Sequence, residues 1–160
     1  METDIWVILA VDGILNNSNT KTRSPDGYTG IDETNLQTLA GFVRDTGAKV
    51  IVRDAWAWEV PQNTKADMEY LQDRLDTYGI KIADFIRKRG EPGVAIREWL
   101  EVHPGLPIIF DEGYLFFDLY PDLHGNVFCV HPETGLTVED VMQAMCFLQE
   151  RPIESEREGE

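Results

Sequence analysis

Three short apolar stretches, each running into polar or charged residues at its far end, constrain this chain most: "IWVILA" at 5–10, "AKVIVR" at 48–53 and "LPIIFDE" at 106–112. A strand with one wet face alternates apolar and polar residues. A run without that alternation suits a strand covered on both faces, as in a parallel sheet. The segments between the runs have helical spacing. Asp32 is placed to cap a helix reaching about Thr46, with Leu36, Leu39, Phe42 and Val43 on one face and Gly47 at its end. A second helix is expected over 63–78, stopping at Gly79, and a third over 93–102 with Ile96, Trp99 and Leu100 inward. Thr137 and Asp140 form a capping box for a last helix to about Glu150. Shorter strands are expected at "IKIAD", 80–84, and "NVFCV", 126–130. Strands separated by helices predict a mostly parallel sheet with right-handed crossovers, a three-layer α/β/α, Rossmann-like domain.

A chain of 160 residues suits a single domain, expected over 1–150, with the acidic tail 151–160 a solvated, disordered end. Between the first two strands lie only a loop, 14–31, and one helix, so no inserted cap domain is visible. A loop of that length in a compact domain is often functional. The net charge of −15 argues against nucleic acid and against anionic membranes, both of which need basic patches. It leaves room for a small phosphorylated molecule or a phosphoprotein, which a local basic cluster can hold. The N-terminus carries no basic segment, and its apolar run is too short for a signal peptide or a membrane span. A reduced, cytoplasmic setting is the expectation. Cys129 and Cys146 are too few for a disulfide framework and read as core residues. His103, His124 and His131 share no zinc spacing with them.

In open parallel sheets ligands bind beyond the carboxyl ends of the strands. The residues expected there are Ala10 and Asp12 after the first strand, Arg53 and Asp54 after the second, and Asp111 and Glu112 after the fourth. Lys88 and Arg89, in "RKRG", could bring opposing charge. A single acid at a strand end needs no function, because loops are rich in Asp. Acids at three successive sheet ends repel one another unless a divalent cation lies between them. An all-oxygen set that leaves room for water suits magnesium. Magnesium beside a lysine or arginine is an arrangement for phosphoryl transfer. Trp56 and Trp58 read as rim or core packing, and the aromatic run 114–123 as a flap or as packing against the sheet.

The opening "WVILAVDGILN" resembles the first motif of the haloacid dehalogenase-like (HAD) superfamily, usually Asp-x-Asp-Gly. "IDETNLQTLAGFVRDTGAKVIV", "GVAIREWLEVHP", "IIFDEGY" and "HPETGLTVEDV" are similar in order and spacing to small capless HAD domains related to the Swiss-Army-Knife RNA-repair group, over about residues 5–148. The resemblance implies a magnesium-dependent phosphatase lineage. It places the general acid/base on Asp12 and the metal acids on Asp111 and Glu112, with the Asp12 backbone carbonyl as a further ligand. It gives phosphate contacts to Arg89 or Lys88 and to the position after strand two, here Arg53-Asp54.

Two departures stand out. The position of the nucleophilic aspartate is Ala10, and Arg53-Asp54 stands where a hydroxyl is expected. Alanine has no oxygen with which to attack phosphorus or bind magnesium, so a covalent aspartyl-phosphate is unavailable. Magnesium is expected to be weak or absent, with Asp54 the one residue that could compensate. Ala10 is open to two readings, an introduced trapping substitution or natural divergence into a pseudoenzyme. The second departure favours divergence, since one trapping substitution would not also alter the second strand end. The expected function is a HAD-like phosphohydrolase fold that is inactive or strongly impaired. The alternative is a non-catalytic binding or interaction module for a phosphorylated ligand or a basic protein partner.

Overall fold

The structure is a computed structural model and describes residues 3–53, 65–87, 91–112 and 120–158. Ten elements alternate: β1 (Ile5–Leu9), α1 (Glu33–Thr46), β2 (Lys49–Arg53), α2 (Lys65–Thr77), β3 (Ile82–Ile86), α3 (Pro92–Val102), β4 (Leu106–Asp111), α4 (Pro121–His124), β5 (Val127–Cys129) and α5 (Val138–Glu158). The five strands form one sheet in the order β3-β2-β1-β4-β5, and every pairing is parallel. The parallel α/β sandwich expected from the apolar runs is therefore the fold. Strand β1 lies at the centre, in register with both neighbours: Leu9 pairs with Val52 on one side and with Phe110 on the other.

The unbroken apolar runs have a simple physical reading. Val7, Leu9, Val50, Val52, Ile108 and Phe110 point into one core, which α1, α2 and α5 cover with Leu36, Leu39, Leu71, Leu75 and Ala144. The alternate residues Trp6, Ile8, Ile51 and Ile109 point into a second core, covered by α3 and α4 through Ile96, Trp99 and Leu123. Both faces of the central strands are thus dry, and each fully buried aliphatic side chain contributes about 1.5–3 kcal/mol.

Helix α1 starts and stops where the residues direct. The Asn35 N–H donates to the Asp32 carboxylate at the N-cap, and Gly47 ends the helix in the left-handed region at φ 72°. At α5 the capping box forms: the Thr137 N–H and hydroxyl both donate to Asp140 Oδ2 at 2.9 Å.

Some boundaries and burials differ from expectation. Strand β3 covers Ile82–Ile86, two residues beyond the 80–84 run, because Gly79 and Ile80 close α2 with N–H groups that donate to the Asp76 and Leu75 carbonyls. Helix α5 continues to Glu158 rather than ending near Glu150, through the stretch expected to form the tail. Cys129 and Cys146 are exposed, not core. Cys129 ends the three-residue edge strand, and Cys146 stands one step off the α5 stripe of Val141, Ala144, Met145 and Leu148 that packs on the sheet. Within the 14–31 loop, Arg23 and Thr29 form an antiparallel bridge. No described helix is long and apolar enough to cross a membrane.

Candidate functional site

The carboxyl end of β1 leads straight into a tight turn. The Ile14 and Leu15 N–H groups both donate to the Val11 carbonyl, at 3.2 and 2.8 Å, and Gly13 takes φ 84°. A residue with a Cβ resists that backbone region. The apolar side chains of Val11, Ile14 and Leu15 are fully buried, which anchors the turn and leaves Asp12 exposed at its crest. Ala10, expected from sequence to stand where a nucleophile would, is half-buried and packs against the first core.

A buried asparagine holds the turn. Asn16 Oδ1 accepts the Gly13 N–H at 2.8 Å, while Nδ2 donates to Asp12 Oδ1 and to the Gly30 carbonyl, both at 3.0 Å. Sequence reasoning passed over Asn16, which reads as one more polar residue opening a loop. A second buried asparagine, Asn35, ties α1 to the "ETGLT" segment by donating to the Thr134 and Leu136 carbonyls, both at 3.0 Å. Its Oδ1 accepts from Asn17 Nδ2 at 3.0 Å. Gly135 is required here, since a Cβ would lie 2.3 Å from Asn35 Oδ1. The Leu136 N–H donates to the Ile14 carbonyl at 2.8 Å, closing the frame around the turn.

Beside this frame lies a cleft of about 350 Å³, lined by Asp12, Asn16, Asn17, Tyr28, Thr29 and Glu112 among others. Of the acids expected after strands one and four, Asp12 and Glu112 line this cleft. The Glu112 carboxylate sits so close to the turn that a Cβ on Gly13 would lie 2.5 Å from Oε2. Tyr28 and Thr29 come from the bridged part of the 14–31 loop. That loop is fastened to α2, where the buried Asp67 accepts the Asp26 N–H at 3.1 Å and the Tyr70 hydroxyl accepts the Ile31 N–H at 3.0 Å. Neither Asp67 nor Tyr70 was singled out by sequence, because their partners are backbone groups some forty residues away.

Asp111 has a different setting. It ends β4 with only 2 % of its side chain exposed, and the Arg53 guanidinium, 18 % exposed at the end of β2, forms an ion pair with it. The two strands flank β1, so the pair spans the end of the strand that leads into Ala10. Arg53 Nε is buried with no hydrogen-bond partner among the described residues. The guanidinium expected to face a phosphate makes an ion pair with this buried acid. Asp54, Lys88 and Arg89, with Trp56 and Trp58, lie outside the described residues. Among the described residues, no three His, Cys, Asp or Glu side chains gather closely enough to hold a metal ion.

The family pattern for the HAD domain in Swiss Army Knife RNA repair proteins matches residues 6–141, from the first residues of β1 into α5. The chain belongs to this HAD family. Solved HAD structures resemble it at low identity. A protein of Streptomyces avermitilis assigned to the HAD family of hydrolases is 13% identical, with 84% of this chain and 80% of that one covered and a TM-score of 0.47. The cobalt-bound deoxy-D-mannose-octulosonate 8-phosphate phosphatase of Haemophilus influenzae is 17% identical, with 89% and 86% covered and a TM-score of 0.48. No curated protein sequence matches the chain.

Proposed function

We propose that this HAD domain descends from a magnesium-dependent phosphohydrolase and is catalytically silent, or nearly so, with Ala10 at the position of the covalent nucleophile. The observation that carries this reading is the pairing of Arg53 with Asp111 across the end of β1. Where phosphoryl transfer needs an attacking carboxylate and a metal-binding acid, this chain has a methyl group and an acid already neutralised by an arginine. Asp12 keeps its exposed place, held by Asn16, yet a general acid/base without a nucleophile has no covalent step to serve. Loss of one member of a catalytic unit removes most of the rate and leaves only what binding and electrostatics supply.

The described residues at the strand ends do not fit a tightly bound magnesium ion. The Ala10 side chain offers no oxygen, and Asp111 is shared with a guanidinium that presents donors rather than acceptors. Asp12 and Glu112 remain as oxygen donors beside the cleft.

A second reading, favoured by the cleft of Asp12, Asn16, Asn17, Tyr28 and Glu112, is a binding or interaction module. Its lining offers amides, hydroxyls and two carboxylates. It would take a phosphorylated ligand only with help from a cation, and a basic protein partner without one. Thermal-shift screening with phosphate monoesters and with a lysine- and arginine-rich peptide separates the two ligand classes. The silent-enzyme reading itself is tested by hydrolysis of an aryl phosphate in magnesium. It predicts no turnover above background, and ordinary enzymatic turnover by the unaltered chain would overturn it.

A further inference from the structure

We infer that the Arg53 guanidinium is a built-in cation that takes over the charge-neutralising place of a divalent metal at Asp111, so that two changes, not one, separate this chain from a metal-binding site. The inference rests on the reading of the strand ends as a silenced phosphohydrolase centre and goes beyond the missing nucleophile.

Three observations carry it. Asp111 is almost wholly enclosed, and an enclosed carboxylate persists as an anion only beside a compensating charge. That charge comes from the far side of β1: Arg53 ends β2, Asp111 ends β4, and each follows by one residue the partner of Leu9 in the sheet register. The side chains therefore meet over the end of the central strand, at the level of Ala10. Lastly, the guanidinium is itself mostly buried, and its Nε carries a donor that no described residue accepts. A buried, positively charged donor group beside Asp111 disfavours a second cation there. A divalent cation would have to displace an arginine that is already in contact and pays little to stay, since its charge is desolvated by folding and not by binding.

A lone arginine-to-acid ion pair could serve stability alone. The two roles differ in what happens when an acid is returned to position 10. If Arg53 is only structural, Ala10→Asp completes the acid pair and restores magnesium binding. If Arg53 holds the metal's place, the new carboxylate joins the existing ion pair and no metal enters until the guanidinium is removed.

The experiment is titration calorimetry with magnesium chloride and manganese chloride, backed by thermal melting in EDTA and in each metal. The proteins are the unaltered chain, Ala10→Asp, and Ala10→Asp combined with Arg53→Ser. The unaltered chain and the single variant are expected to show no saturable binding and no metal-dependent melting shift. The double variant is expected to bind at least about tenfold more tightly than either and to melt higher in metal than in EDTA. Should Arg53→Ser leave too little folded protein, Arg53→Gln in the same background keeps a hydrogen bond to Asp111 and removes only the charge. Saturable magnesium binding by the unaltered chain overturns the inference, as does equal binding by Ala10→Asp and the double variant, or failure of both double variants to bind. Magnesium binding without phosphate release would leave the silent-enzyme reading standing. Phosphate release by the unaltered chain would remove that reading first.

Discussion

Asn16 grips the Asp12–Gly13 turn from both sides, donating to the Asp12 carboxylate at 3.0 Å and accepting the Gly13 N–H at 2.8 Å. The amide is 4 % exposed, so nothing in solvent can replace it cheaply. Truncation leaves the Gly13 N–H and the Gly30 carbonyl buried without a partner. Asn16→Ala is therefore expected to lose about 2–6 kcal/mol in urea unfolding, from two unsatisfied groups at about 1–3 kcal/mol each. Asn19→Ala, at an exposed site in the same loop, should stay within about 0.5 kcal/mol of the unaltered chain.

The Arg53–Asp111 pair makes a second stability prediction. Removing one partner strands the other charge, which costs about 3–5 kcal/mol for a buried pair. Arg53→Met should fall in that range. Arg53→Met with Asp111→Leu should recover much of the loss, because two apolar side chains need no partner. The interaction term of the double-mutant cycle reads the coupling directly. It should also resist added salt, unlike the exposed pair of Lys65 and Glu69.

Gly13 offers a third test, in which strain and contact separate. Gly13→Ala must hold φ near 84° and place its Cβ against the Glu112 carboxylate. The backbone strain alone is worth about 1–3 kcal/mol. Combining it with Glu112→Ala relieves the contact and leaves the strain, so the double variant should be more stable than Gly13→Ala by urea unfolding yet below Glu112→Ala.

How much of this was legible in the residues depends on where each partner sits in the chain. The sheet was legible because its strands are apolar on both faces, a pattern that "IWVILA" shows without help from any neighbour. Helix ends were legible at Asp32, Gly47 and Thr137, where capping partners lie within four residues. The exposed place of Asp12 followed from the strand-then-turn pattern. The direction of Arg53 did not, because its partner is fifty-eight positions away and only the order of strands brings them together. Asn16 and Asn35 stayed hidden for the same reason: they serve backbone groups of distant loops, and an asparagine opening a loop looks alike whether buried or wet. The cysteines misled because "NVFCV" is apolar in composition, whereas β5 is a short edge strand whose last residue reaches solvent.

Tyr120 makes the fold sensitive to alkali. Its hydroxyl donates to the Glu91 carboxylate, a bond that raises the phenol above its usual value, with burial and the Glu91 charge adding to the shift and Arg97 opposing it. The folded chain then holds this proton to higher pH than the unfolded chain does. The contribution is complete below about pH 10, the ordinary phenol value, and is lost as pH rises through the folded value. Glu91→Gln should move the tyrosinate absorbance change of this one residue towards lower pH. It should also shrink the stability lost above about pH 10. Ultraviolet titration of both proteins shows the shift as a difference between two curves.

The most direct measurement of the central claim is phosphate release from an aryl phosphate by the purified, unaltered chain, in saturating magnesium and in EDTA. The account predicts that the two time courses coincide at the rate of the uncatalysed reaction, because position 10 offers no atom to attack phosphorus. Magnesium-dependent turnover at about 1 s⁻¹ or faster, the ordinary enzymatic range, would contradict it.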